Sequence, residues 1–145
     1  MLFNLFTKLY PVSFGGQIDI HNHLLYGVDD GSKSLDESKR MLEAYKELGF
    51  ESIVVTSHIF KDIYPNSEKD LKSKFQILIS ETKNIKSPKI INLGAEYMVD
   101  DLFLEKVKSG SDLLPFYKNY VLIEIPLFAD SYLLKQTVFE LQLND

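Results

Sequence analysis

Cysteine is absent from the 145 residues, which excludes disulfides, thiolate metal sites and every mechanism with a cysteine nucleophile. Arginine is nearly absent, Arg40 standing alone. With 21 acidic against 16 basic residues and a formal charge of −5, the chain has no basic stripe of the kind that follows a phosphate backbone, so no nucleic-acid partner is expected. Long apolar runs are also missing. None approaches the roughly 18–20 residues of a membrane span. In the opening MLFNLFTKLYPVSF, Asn4, Lys8 and Pro11 interrupt the apolar residues before a signal-peptide core of roughly 7–15 residues can form. The expected location is cytoplasmic.

What is present reads as one folded domain. A content of 45% hydrophobic and 26% charged residues lies in the ordinary globular range and requires no disordered or fibrous reading. Residues 1–16 form a leader and 17–145 the domain. Gln17–His23 alternates as a strand, with Ile18 and Ile20 on one face and Asp19, His21 and His23 on the other. Gly27, Asp29, Asp30 and Gly31 mark a loop. Ser34-Leu35-Asp36-Glu37 matches a capping box, followed by an apolar stripe of Met41, Leu42, Tyr45 and Leu48 up to Gly49.

The alternation continues along the chain. Ser52–Thr56 is a second strand, followed by His58; Ser67 caps a helix with Leu71, Phe75, Leu78 and Ile79 on its apolar face. Lys89–Leu93 is a third strand leading to Glu96, then a short helix spans Asp100–Val107. Tyr120–Ile125 is a fourth strand containing Glu124, and Asp130–Leu143 a final amphipathic helix. Such an α/β order predicts parallel βαβ units.

The chain holds three histidines, and all of them fall at these predicted strand ends, as do Glu96 and Glu124. In parallel α/β folds the carboxyl ends of the strands share one face, where functional groups collect. His21, His23, His58, Glu96 and Glu124 are therefore expected to converge, with Asp29 or Asp30 within reach. Each residue alone has an ordinary reading: histidine as a packed or surface group, and loop aspartates as turn formers. Glu124 is the exception, because a carboxylate inside YVLIEIP is costly to bury without a cation or hydrogen bonds. Imidazole together with carboxylate suits Mn²⁺, Fe²⁺ or Zn²⁺ better than Mg²⁺ or Ca²⁺, and several carboxylates suggest more than one ion.

The stretches IDIHNHLLYGVDDG (18–31), TSH (56–58), GAEYMVDD (94–101) and YVLIEIP (120–126) resemble, in order and spacing, the bacterial manganese-dependent protein-tyrosine phosphatases of the polymerase-and-histidinol-phosphatase (PHP) superfamily. The resemblance implies a distorted (β/α)7 barrel, present here as its N-terminal part. It also implies His21, His23, Asp30, His58, Glu96 and Glu124 as ligands of up to three divalent ions, with Asp29 the less favoured of the aspartate pair. Manganese is the implied metal, with iron or zinc as alternatives. The implied substrate is phosphotyrosine on a protein, typically the tail of a bacterial tyrosine kinase, in capsule or exopolysaccharide control. Such enzymes carry, beyond the stretch matching 120–126, a His-Pro-Glu-Arg motif and later an Asp-x-His pair, and neither follows that stretch in this chain. Impaired activity is expected on that ground, and no residue is nameable as a general acid. A phosphatase acting on a small ester such as histidinol phosphate, or a non-catalytic remnant, are the alternatives. Tyr10, Tyr26, Phe60 and Tyr64 lie near these loops, where they serve either packing or a phosphotyrosine groove.

Overall fold

Four parallel strands in sequential order, β1 (Ile18–Asp19), β2 (Ser52–Ile59), β3 (Lys89–Met98) and β4 (Leu122–Glu124), make one sheet in the computed structural model. The structure describes residues 16–86, 88–127 and 130–143; the leader expected at 1–16 lies outside these except for its last residue. The strands alternate with α1 (Leu35–Leu48), α2 (Glu68–Thr82), α3 (Asp101–Lys108) and α4 (Ser131–Leu143). This is the alternating βα architecture expected of an incomplete PHP-type barrel. β1 and β4 form the two edges of the sheet.

Local signals account for the helices. Ser34 accepts the Glu37 backbone N–H, and Gly49 ends α1 in the left-handed region at φ 86°, which glycine enters without a Cβ clash. The capping box expected there closes differently: the Glu37 carboxylate accepts the N–H of Lys33 rather than that of Ser34. Ser67 and Asp70 do form a reciprocal box at the start of α2. Among the described residues no helix is long and apolar enough to cross a membrane.

The core forms where strand and helix stripes meet. Ile53 and Val55 of β2 and Leu93, Ala95 and Tyr97 of β3 pack with Leu42 of α1, Leu71 and Leu78 of α2, and Phe103 and Val107 of α3. Every residue of β2 except Ile59 is buried, as expected for a central parallel strand covered on both faces. The opposite face of β2 carries Val54, Thr56 and His58 by the two-residue period. That face holds the polar cluster described below.

Strand lengths depart from expectation in both directions. β2 and β3 run beyond Thr56 and Leu93 because their pairing continues in register to Ile59 and Tyr97, so His58 and Glu96 lie inside strands rather than after them. β1 is shorter than Gln17–His23. Past Asp19 the bonds beside β2 are made partly by side chains: Asp19 accepts the His21 N–H, and the Thr56 hydroxyl accepts the Asn22 N–H. Ile18 and Ile20 are exposed, against the buried strand that their alternation suggests. The apolar stripe of α4 is also largely exposed: Thr137 is buried, whereas Tyr132, Phe139 and Leu143 face solvent.

Candidate metal centre

Register brings the first pair of candidate ligands together. His58 on β2 is the partner of Glu96 on β3, so their side chains leave the sheet on the same face, and His58 Nδ1 lies 3.3 Å from Glu96 Oε2. Met98, two residues beyond Glu96, pairs with Glu124 on β4, which places Glu124 Oε2 3.5 Å from the same His58 nitrogen. The segment after β1 supplies the rest. His21 Nε2 and His23 Nε2 lie 3.1 and 3.5 Å from Glu96 Oε2. Asp30 Oδ1 lies 3.7 Å from His58 Nε2 and 3.8 Å from His23 Nδ1.

All six residues singled out in the sequence thus meet in one cluster. They form three overlapping triads, His21–His23–Glu96, His23–Asp30–His58 and His58–Glu96–Glu124, and within each triad the ligand atoms lie within 4.8 Å of one another. Burial is graded across it: Glu96 and His58 are deep, His23 is intermediate, and His21, Asp30 and Glu124 open to solvent.

The donor set fits divalent cations. His58 Nδ1 and Glu96 Oε2 are buried and make no hydrogen bond, an arrangement that leaves desolvated polar atoms uncompensated. A cation among three imidazoles and three carboxylates would supply a partner, and mixed nitrogen and oxygen donors suit Mn²⁺, Fe²⁺ or Zn²⁺.

The loop between β1 and α1 is tightly held. The Asp29 carboxylate accepts from His23 Nδ1 at 3.0 Å and from the backbone N–H groups of Gly31 and His58 at 3.0 and 3.1 Å. Its bond with Asp29 raises the His23 imidazole above its ordinary value, against the opposing effect of burial. Burial pushes the Asp29 carboxyl up, but the bonds from His23, Gly31 and His58 outweigh it and hold the group below the usual carboxylate range. Gly31 has no substitute: a Cβ there would stand 2.2 Å from both the Cβ and the carbonyl oxygen of His23.

Some contributors were not singled out in the sequence. Asn66 donates from Nδ2 to the carbonyls of Val28 and His58, both at 2.8 Å, and Lys74 Nζ reaches the carbonyls of Tyr26 and Gly27. Nothing local distinguishes Asn66 from an ordinary loop residue after Pro65, or Lys74 from other helix-surface lysines. Of the four aromatics, Tyr64 stacks on the His58 ring at 5.2 Å. Its partial burial there, together with the negative field of Asp30, Asp29 and Glu124, raises its hydroxyl. Tyr26 sits under the Lys74 ammonium, a packing role, and Tyr10 lies outside the described residues.

Known proteins share this arrangement of sequence and fold. The chain is 31% identical over 125 residues to the putative tyrosine-protein phosphatase CapC of Staphylococcus aureus, covering 86% of this chain and 49% of that protein. It is 34% identical over 111 residues to the tyrosine-protein phosphatase CpsB of Streptococcus pneumoniae, covering 76% and 45% respectively. The solved structures of YwqE from Bacillus subtilis and CpsB from Streptococcus pneumoniae, described as metal-dependent tyrosine phosphatases, include a chain that superposes with a TM-score of 0.75 at 26% identity, covering 88% of this chain and 51% of that one. The chain therefore spans about half the length of the curated relatives it matches. Residues 17–144 match the family described as capsular polysaccharide synthesis, CpsB/CapC, and the chain belongs to that family.

Proposed function

We propose that this chain carries part of the active site of a metal-dependent protein-tyrosine phosphatase. The observation that supports it most directly is the meeting of His21, His23, Asp30, His58, Glu96 and Glu124 in one cluster around Glu96 Oε2, which makes no hydrogen bond. These six residues act as ligands of a cluster of up to three divalent ions, with manganese as the metal. Bound divalent ions supply Lewis acidity, activating water for in-line attack on phosphorus and offsetting the charge of the phosphoryl oxygens.

The chain's own residues set up that chemistry. Glu96, facing all three imidazoles, would be the central ligand of such a site, and its burial keeps solvent from competing for the inner face. His21, Asp30 and Glu124 line the open side, where a phosphoryl group enters. Tyr64, stacked on His58 at the rim, offers an aromatic face to the tyrosyl ring of the substrate. The substrate is a phosphotyrosine protein, a bacterial tyrosine kinase in the capsule or exopolysaccharide pathway, and the setting is cytoplasmic.

The test is hydrolysis of a phosphotyrosine peptide by the chain with Mn²⁺, run beside histidinol phosphate. Weak activity on the peptide that disappears on chelation and in a His21→Ala/His23→Ala double variant is expected. Turnover of the small ester alone, or peptide turnover indifferent to the double substitution, would reject the proposal.

A further inference from the structure

Asp29 and Asp30 are neighbours in one loop but live in opposite environments: the Asp30 side chain is largely exposed, and the Asp29 side chain has no solvent contact. A carboxylate buried in a surface loop is costly unless it is fully hydrogen-bonded. Asp29 meets that requirement from three separate parts of the fold. Its Oδ2 accepts from the His23 ring and from the His58 backbone N–H, and its Oδ1 from the Gly31 N–H. Lys33 Nζ bonds its main-chain carbonyl at 2.9 Å.

The contact with His58 explains the placement. On β2 the Thr56 N–H donates to the Asn22 carbonyl, and the His58 N–H, two residues on, points to the same side, where β1 has already ended. Asp29 Oδ2 takes the place of the missing strand carbonyl. The same oxygen holds His23 Nδ1, so one atom sets the spacing between a ring from the first loop and the strand that carries His58. With Nδ1 engaged, His23 has only Nε2 left to turn toward Glu96, 3.5 Å away. Which imidazole nitrogen carries the proton is set by the hydrogen bond the other one makes.

We infer that Asp29 is a positioning residue of this centre: its buried carboxylate fixes His23 as the Nδ1–H tautomer, presents Nε2 to the cation cluster and ties the His21–His23 segment to β2. It is not itself a ligand, because both of its carboxylate oxygens are already engaged by protein donors and its side chain is closed to solvent. The inference rests on the metal-centre reading above. Such partners of ligating histidines tune both ring orientation and metal affinity.

The experiment is long-range ¹H–¹⁵N correlation of the histidine rings in the metal-free chain, with the rings neutral, combined with Mn²⁺ titration by calorimetry. The native chain is expected to show the His23 proton on Nδ1. Asp29→Asn is expected to lose that preference and to weaken Mn²⁺ binding by about 10–100-fold. A native His23 protonated on Nε2 overturns the inference, whether or not the variant folds. So does a folded Asp29→Asn chain that keeps both tautomer and Mn²⁺ affinity. If the native chain takes up no Mn²⁺ but its His23 carries the Nδ1 proton in an Asp29-dependent way, the positioning role stands and the metal reading falls.

Discussion

His58 Nδ1 and Glu96 Oε2 stand 3.3 Å apart on adjacent parallel strands, paired in register, and neither atom makes a hydrogen bond. Two buried polar atoms in that state cost about 1–3 kcal/mol each in the metal-free chain. A cation between them removes the penalty, so occupancy and stability are coupled.

Mn²⁺ is therefore expected to raise the thermal midpoint, and EDTA to reverse the rise. At an ion concentration about 100 times the dissociation constant the gain is about 2.7 kcal/mol. Glu96→Gln, altering the carboxylate that faces all three histidines, should abolish most of the rise. Asp30→Asn, at the exposed rim, should abolish less. Thermal scans with and without Mn²⁺ check the order.

Gly31→Ala tests the close approach at the first loop. The added methyl would collide with His23 at 2.2 Å, including its carbonyl oxygen, and that oxygen also accepts the Ser32 N–H, so the neighbour cannot simply swing away. A loss of about 1–3 kcal/mol is expected, together with a smaller Mn²⁺-induced shift. Urea unfolding in the absence and presence of the ion separates the two effects; an unchanged midpoint would contradict the geometry.

Tyr97 and Tyr45 predict the alkaline limb of stability. Burial, first, and then Glu68 raise the Tyr97 hydroxyl beyond the ordinary tyrosine range, against an opposing bond from the Leu114 N–H. Burial and the bond to Asp19 raise Tyr45 likewise. In the unfolded chain both ionise near pH 10. Folding therefore favours the protonated forms, and their contribution is complete below about pH 10 and declines above it, where the unfolded chain sheds protons that the folded chain retains. Absorbance at 295 nm should show two tyrosines that titrate only with unfolding; their ordinary titration in the folded chain would refute this.

Ser67→Ala removes the cap of α2, a hydroxyl bonded to Asp70. Ser67 Oγ accepts the Asp70 N–H at 3.1 Å, and replacing such a cap costs about 1 kcal/mol. Urea unfolding should report that loss with the Mn²⁺-induced gain unchanged. A diminished gain would mean that α2 and the centre are coupled through more than the Asn66 bonds.

Much of this was readable along the chain because the signals are local. Ser34, Gly49 and Ser67 bound their helices through contacts within a few residues; the alternation read at 18–23 did not hold, since β1 stops at Asp19, whose carboxylate turns to Tyr45 of α1 while His21 and His23 turn to Glu96. Five of the six candidate ligands stood out because they lie at or near the ends of predicted strands, while the choice of Asp30 over Asp29 came only from the family resemblance. Strand lengths were less legible. Whether Ser57–Ile59 and Gly94–Met98 remain extended depends on pairing with one another, which no single segment encodes.

Asp29 shows the limit most clearly. As letters, Asp29 and Asp30 are the same residue in the same loop, and composition, period and turn chemistry treat them alike. Their separation into a buried anchor and an exposed rim group follows from where β1 stops beside β2, leaving the His58 N–H open to one carboxylate and not the other. The linear order carries the alternating elements, the helix caps and the histidine–carboxylate inventory, since each arises from neighbours in the chain. Register, burial and the meeting of the six side chains at Glu96 arise from packing between segments tens of residues apart, and those contacts exist only once the sheet has formed.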